Sequence, residues 1–129
     1  MKDTKTQIKL KNLGNALKQL GAICEEPLDN KRIVLDASIQ RFEFCYELFW
    51  KTLKALLEKE GLETTTPKQV LQQAYHIHWL DNEELWLEML EDRNKTSHVY
   101  DEEMALEIYA KIKRYYTEMQ CVYTMLQAL

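Results

Sequence analysis

The 129-residue chain predicts an all-α fold, an antiparallel up-and-down bundle of four main helices plus one short extra helix. Three observations carry this. Apolar residues recur at alternating spacings of three and four over long stretches, the period of one helix face. Only 3 Gly and 2 Pro punctuate the chain, too few for a many-turned β fold. Polar capping patterns mark helix starts in the middle of the sequence.

The first helix is expected from about Asp3 to Cys24, with Leu10, Leu13, Leu17, Leu20 and Cys24 as its seam. The run Glu25-Glu26-Pro27-Leu28 breaks it, and Asp29 is a suitable N-cap for the next helix. That helix, about 30–60, carries Leu35, Ile39, Phe42, Tyr46, Phe49, Leu53 and Leu56, and Gly61 supplies a left-handed stop. Thr66-Pro67-Lys68-Gln69 forms a capping box that opens a short helix to about Tyr75. Asp81-Asn82-Glu83-Glu84 repeats this logic for a helix ending near Arg93, followed by a polar connection from Asn94 to Tyr100. Asp101 caps the last helix, about 102–129, with Ala105, Ile108, Ile112, Tyr115, Met119, Val122, Leu126 and Leu129 inward. Seams this regular suit helices packed at shallow angles. With no linker, repeat or low-complexity tract, residues 1–129 read as one domain.

Composition narrows the function. With 46% hydrophobic and 29% charged residues the chain is globular rather than disordered. Its net charge of −4 excludes a general nucleic-acid binder but leaves room for a local cationic cleft. No apolar run is long enough to span a bilayer, and the first residues lack a signal peptide's apolar core. Cys24, Cys45 and Cys121 form no Cys-x-x-Cys pair, so reduced thiols in the cytoplasm, each a small core filler, are expected. His76-x-His78 lacks a third ligand at suitable spacing, and no metal or cofactor is expected. Tyr109, Tyr116 and Tyr123 recur every seven residues and read as core or subunit interface, with base stacking as the other use.

The chemistry gathers at 93–100. Trp86, Leu90 and Arg93 share a helix face, which sets the Arg93 guanidinium at the edge of packed apolar surface, where it needs an anionic partner. Complementing the helix dipole is the plainer reading of Arg93. His98 suits proton transfer near neutral pH, or is an incidental loop residue. Tyr100 either packs over the helix entrance or joins the site. An Arg, a His and a phenol on one loop fit phosphodiester chemistry without metal, and RNA carries its own nucleophile in the 2′-hydroxyl. Asp101, Glu102 and Glu103 oppose an RNA phosphate there, with Lys95, Lys111, Lys113 and Arg114 as possible counterweights.

Arg93-x4-His98-x-Tyr100 resembles the motif of the HEPN superfamily in its HepT-like form. The segments Ile39-Gln40-Arg41-Phe42-Glu43-Phe44, Glu47-Leu48-Phe49-Trp50-Lys51 and Trp86-Leu87-Glu88-Met89-Leu90-Glu91-Asp92-Arg93-Asn94 resemble the bacterial nucleotidyltransferase substrate-binding proteins of the same superfamily. The resemblance implies a homodimer whose two Arg/His loops share one cleft. It also implies a minimal nucleotidyltransferase as antitoxin and RNA as substrate. In HepT-like members the toxin is a metal-independent ribonuclease, silenced when the partner adds AMP to the motif tyrosine. By position, Arg93 holds the scissile phosphate, His98 is the general acid/base, Asn94 a polar helper and Tyr100 the modified residue. Two other readings share the signature: a non-catalytic subunit presenting substrate to the nucleotidyltransferase, and a purely structural helical dimer.

Overall fold

The computed structural model describes residues 3–28, 31–98 and 101–129, without the side chains of Lys31 and His98. It contains α1 (Thr4–Cys24), α2 (Lys31–Lys59), α3 (Pro67–His76), α4 (Glu83–Lys95), a three-residue 3-10 turn (Thr96–His98) and α5 (Glu102–Gln127), with no strand among the described residues.

The helix ends follow local chemistry. Asp3 caps α1 by accepting from the Thr6 N–H at 2.8 Å, and its carboxylate also meets Lys59 Nζ at 3.0 Å, tying the start of α1 to the end of α2. Gly61, at φ 82°, closes α2. The Leu62 N–H reaches the Leu57 carbonyl and the Gly61 N–H the Glu58 carbonyl, the Schellman pair that only a left-handed residue permits cheaply. The capping box at Thr66 and Gln69 is formed as expected, and Asp101 caps α5 through Met104 N–H. Asp29 lies outside the described residues.

Two boundaries differ from the expectation. α4 is capped by Asn82, whose side chain accepts from Leu85 N–H, one residue past the first acid of the pattern. It also runs on through Asn94 and Lys95 into the 3-10 turn, so only the end of the polar run 94–100 is connection. The reason is local: Thr96 is 6% exposed and its hydroxyl donates to the Arg93 carbonyl at 2.6 Å, satisfying an end carbonyl without leaving helical geometry.

Side-chain contacts give the topology. Arg41 reaches the Gln19 carbonyl and Lys59 reaches Asp3, so α1 and α2 are antiparallel. Gly14 faces Tyr123 while Gly21 faces Tyr116, the same seven-residue step taken in opposite directions, so α1 and α5 are antiparallel too. Trp86 Nε1 donates to Glu118 and Tyr115 to Asp92, which sets α4 against α5 in the same sense. The four long helices therefore alternate in direction, and α3 is the short insertion between α2 and α4. Phe42, Tyr46, Phe49, Trp86 and Tyr115 are all buried and in ring contact, which makes α2 the centre of the core.

The tyrosine stripe of α5 belongs to this packing. A Cβ at Gly14 would sit 2.3 Å from the Tyr123 hydroxyl, and one at Gly21 would sit 2.6 Å from that of Tyr116. Each glycine is a notch for one ring. Tyr109, the third of the series, lies where α1 has already ended and instead lines a cavity with Cys24, Ser38 and Lys113. The cysteines are free, but only Cys45 is a buried filler, its thiol pushed up to about 12 by burial. Cys24 is half-buried and Cys121 exposed, because position 121 falls on the outer face of α5. No described helix is long and apolar enough to cross a membrane.

Candidate functional site

Leu85, Met89 and Asp92 stand at i, i+4 and i+7 on α4 and are all buried, so the inward stripe of this helix ends on a carboxylate. Arg93, one position on, leaves the edge of that stripe with its side chain 32% exposed. The anionic partner that its position demands is Glu47 of α2: Arg93 Nη2 donates to Glu47 Oε2 at 2.8 Å. Lys51 Nζ approaches the other Glu47 oxygen at 3.6 Å, and Trp50 is within hydrogen-bonding reach of the same carboxylate. Burial pushes the Glu47 carboxyl up, but the hydrogen bonds of Trp50 and Arg93 and the Arg93 and Lys51 charges outweigh it and hold the group below its usual range. Arg93 Nε is buried with no hydrogen-bond partner among the described residues. The guanidinium is thus held by Glu47 while part of the side chain remains open to solvent.

Asn94 and Ser97 are exposed beside it, on the last turn of α4 and the 3-10 turn. The backbone of His98 ends that turn, five residues beyond Arg93; its side chain, like Tyr100 as a whole, lies outside the described residues. The structure therefore brings Arg93 and Asn94 to one end of α4, and the chain leads directly to His98. His76 and His78 lie elsewhere, on a surface hollow with Tyr75 and Asp81, and no cluster able to hold a metal occurs among the described residues.

Behind Arg93 lies a polar network of which periodicity assigned only Tyr115 to the core. The Tyr115 hydroxyl is 2.5 Å from Asp92 Oδ2 and 3.0 Å from Glu88 Oε2. Having one proton, it donates to the nearer Asp92. Lys111 Nζ meets the same Asp92 oxygen at 2.8 Å and Glu88 at 3.4 Å. Burial, then the neighbouring Asp92 and Glu88, drive the Tyr115 phenol well above its usual value. Burial opposes the charge on Lys111, but Asp92 and Glu88 outweigh it and raise that group. Asp92 is 2% exposed, so its charge is tolerable only because both partners are present. The network joins α4 to α5 immediately before the motif. It also removes Lys111 from the lysines available to offset Asp101, Glu102 and Glu103, since its charge is committed to Asp92.

Known proteins share this architecture. Residues 8–128 match the family described as nucleotidyltransferase substrate binding protein like. Over 90 residues the chain is 32% identical to a Haemophilus influenzae protein named "Probable ribonuclease HepT", covering 66% of this chain and 62% of that protein. It thus spans a little under two thirds of that relative's length. A crystal structure from Thermus thermophilus matches with a TM-score of 0.80 at 38% identity, covering 88% of this chain and 98% of the other. A Haemophilus influenzae structure, described as revealing the fold of a substrate binding domain of a nucleotidyltransferase, matches with a TM-score of 0.71 at 25% identity, covering 95% and 96%.

Proposed function

Since the chain belongs to the nucleotidyltransferase substrate-binding-protein-like family, we propose that it acts as a HepT-type, metal-independent endoribonuclease, the toxin of a pair whose antitoxin is a minimal nucleotidyltransferase. The observation that carries this reading is Arg93: its Nη2 is anchored by Glu47 while its side chain stays 32% exposed, in the last turn of α4 before His98. A guanidinium held in this way can receive a phosphate without first being ordered.

In the proposed reaction the RNA 2′-oxygen attacks the adjacent phosphorus, the bond to the 5′-oxygen breaks, and a 2′,3′-cyclic phosphate forms. His98 is the general acid/base, taking the 2′ proton and returning one to the leaving 5′-oxygen. Arg93 stabilises the charge on the phosphoryl oxygens, and Asn94 is a polar helper. Two copies of the chain place two such loops in one cleft. Silencing follows from the same charge logic. The partner transfers AMP from ATP to the Tyr100 phenol oxygen and releases pyrophosphate, and the tethered phosphodiester then occupies the Arg93 anion site.

The test is cleavage of single-stranded RNA by the purified chain in excess chelator. Cleavage that persists there, and is lost in His98→Ala and strongly reduced in Arg93→Lys, supports the reading. Intact RNA at high protein concentration refutes it. Incubation with the partner and ATP, read by mass spectrometry, tests silencing, and absence of an AMP adduct on Tyr100 rejects it. The second reading, a non-catalytic subunit that presents substrate to the nucleotidyltransferase, is favoured by the description attached to the Haemophilus influenzae structure. It predicts no cleavage but faster nucleotidyl transfer when the chain is present.

A further inference from the structure

A second set of basic residues, distinct from those near the motif, gathers between α1 and α2. Lys5 and Lys9 of α1 and Lys51 and Lys54 of α2 line one surface groove of about 340 Å³, with Trp50 and Glu58. Four ammonium groups share that groove with one carboxylate, on a chain whose net charge is −4. Lys54 pairs with Glu58 at 2.8 Å, and the Lys5 and Lys9 charges also act on Glu58, so an excess of positive charge remains.

One groove residue, Lys51, links it to the Arg93–Glu47 pair. Trp50 is half-buried, lines the groove, and stands one helical turn from Glu47, the carboxylate that holds Arg93. Lys51 likewise lines the groove and approaches Glu47 from the same helix. Lys5 and Lys9 stand one helical turn apart, as do Lys51 and Lys54, so the cations form two short rows, one on each wall. Cations flanking an aromatic ring, and leading to an anchored guanidinium, match a single strand of nucleic acid: phosphates track the lysines and a base stacks on the ring. An acidic polypeptide would use the lysines but not the aromatic face.

We propose that this α1–α2 groove is the binding track for single-stranded RNA, with Trp50 as its stacking platform, delivering the strand to Arg93. The inference takes its ligand class from the ribonuclease reading, but binding along the groove is measurable without cleavage.

The experiment measures anisotropy of a fluorescent 2′-O-methyl RNA dodecamer, whose blocked nucleophile prevents cleavage, as a function of salt. Lys5→Gln/Lys9→Gln is expected to weaken binding at least about tenfold and to reduce the log–log salt slope by about 1.4, the value for two phosphate contacts on a single strand. Trp50→Leu is expected to lose about tenfold, whereas Trp50→Phe, which keeps a stacking face, retains most of the affinity. Lys11→Gln/Lys68→Gln makes the same charge change on exposed residues outside the groove and is expected to have little effect; circular dichroism checks that each variant folds. The proposal is overturned if the wild type does not bind, if both lysine pairs weaken binding equally, if Lys5→Gln/Lys9→Gln leaves affinity and slope unchanged, or if polyglutamate competes as well as unlabelled RNA. Cleavage by the wild type with no effect of the groove variants on binding would reject the track and leave the ribonuclease standing. Groove-dependent binding without cleavage of unmodified RNA would do the reverse.

Discussion

Gly14→Ala offers a quantitative check on the α1–α5 packing, because helix propensity and tertiary contact make opposite predictions. By propensity alone, Ala in place of a mid-helix Gly stabilises by ~0.8–1.0 kcal/mol. The structure opposes that gain. The new Cβ would lie 2.3 Å from Tyr123 Oη and 3.0 Å from Cζ, so the ring must move. Moving it breaks the hydrogen bond that Tyr123 Oη donates to the Leu10 carbonyl at 3.1 Å, worth ~0.5–1.5 kcal/mol. Overpacking adds about 1–3 kcal/mol. The net expectation is a loss of roughly 0.5–3.5 kcal/mol, read from urea unfolding by linear extrapolation. Tyr123→Phe removes the atom that clashes most, so in the double variant Gly14→Ala costs less than it does alone. A double-mutant cycle therefore returns a favourable coupling of at least about 0.5 kcal/mol. Gly14→Ala as stable as the wild type, or a cycle with no coupling, would refute the notch-and-ring account.

Other consequences are as direct. Asp92→Asn removes a buried charge while Lys111 remains, and is expected to cost about 1.5–3 kcal/mol in the same assay, the worth of hydrogen bonds to a charged group; a neutral outcome would mean that the Asp92 network does not hold α4 to α5. Tyr115 and Lys111 are both raised in the folded state. Their stabilisation is therefore complete below the unfolded values of about 10 and 10.4 and is lost as pH rises above them; Tyr115→Phe should make that alkaline decline shallower without abolishing it, as followed by urea midpoints at pH 9 and 11. Glu47 is lowered, so its contribution is present above the ordinary glutamate value of about 4.3 and is lost as pH falls below it. Glu47→Gln should flatten the acid limb of the stability profile, and an unchanged limb would argue against the Arg93 pair.

The helices were legible because each one is amphipathic over many turns and bounded by residues with strong local preferences, such as the Thr66 capping box and Gly61. Boundaries failed where two signals competed. At Asp81-Asn82 either residue can cap, and only Asn82 reaches Leu85 N–H. Past Arg93, the polar run 94–97 looks like loop, yet Thr96 prolongs the helical turn by binding a carbonyl. In the site, Arg93 was readable from its position at the edge of an apolar stripe. Its partner was not, because Glu47 lies 46 residues earlier and no local rule links the two. Asp92 could have been found: an acid in register with Leu85 and Met89 on an inward seam announces a buried partner. The identity of that partner, a tyrosine counted as ordinary core, depends on how α4 and α5 are set against each other. The lysine groove was hidden for the same reason, since its two rows belong to separate helices.

The bond network on either side of the motif also bears on how freely this protein can change. Asp92 is tied to Lys111 and Tyr115, Thr96 closes on Arg93, and Asp101 opens α5 through Met104. The span between is anchored at both ends by interactions that do not involve it. The register of α4 against α5 is therefore set by side chains outside 97–100, so the same bonds that carry the stability of this end of the bundle can be altered or kept independently of the residues proposed to do the chemistry.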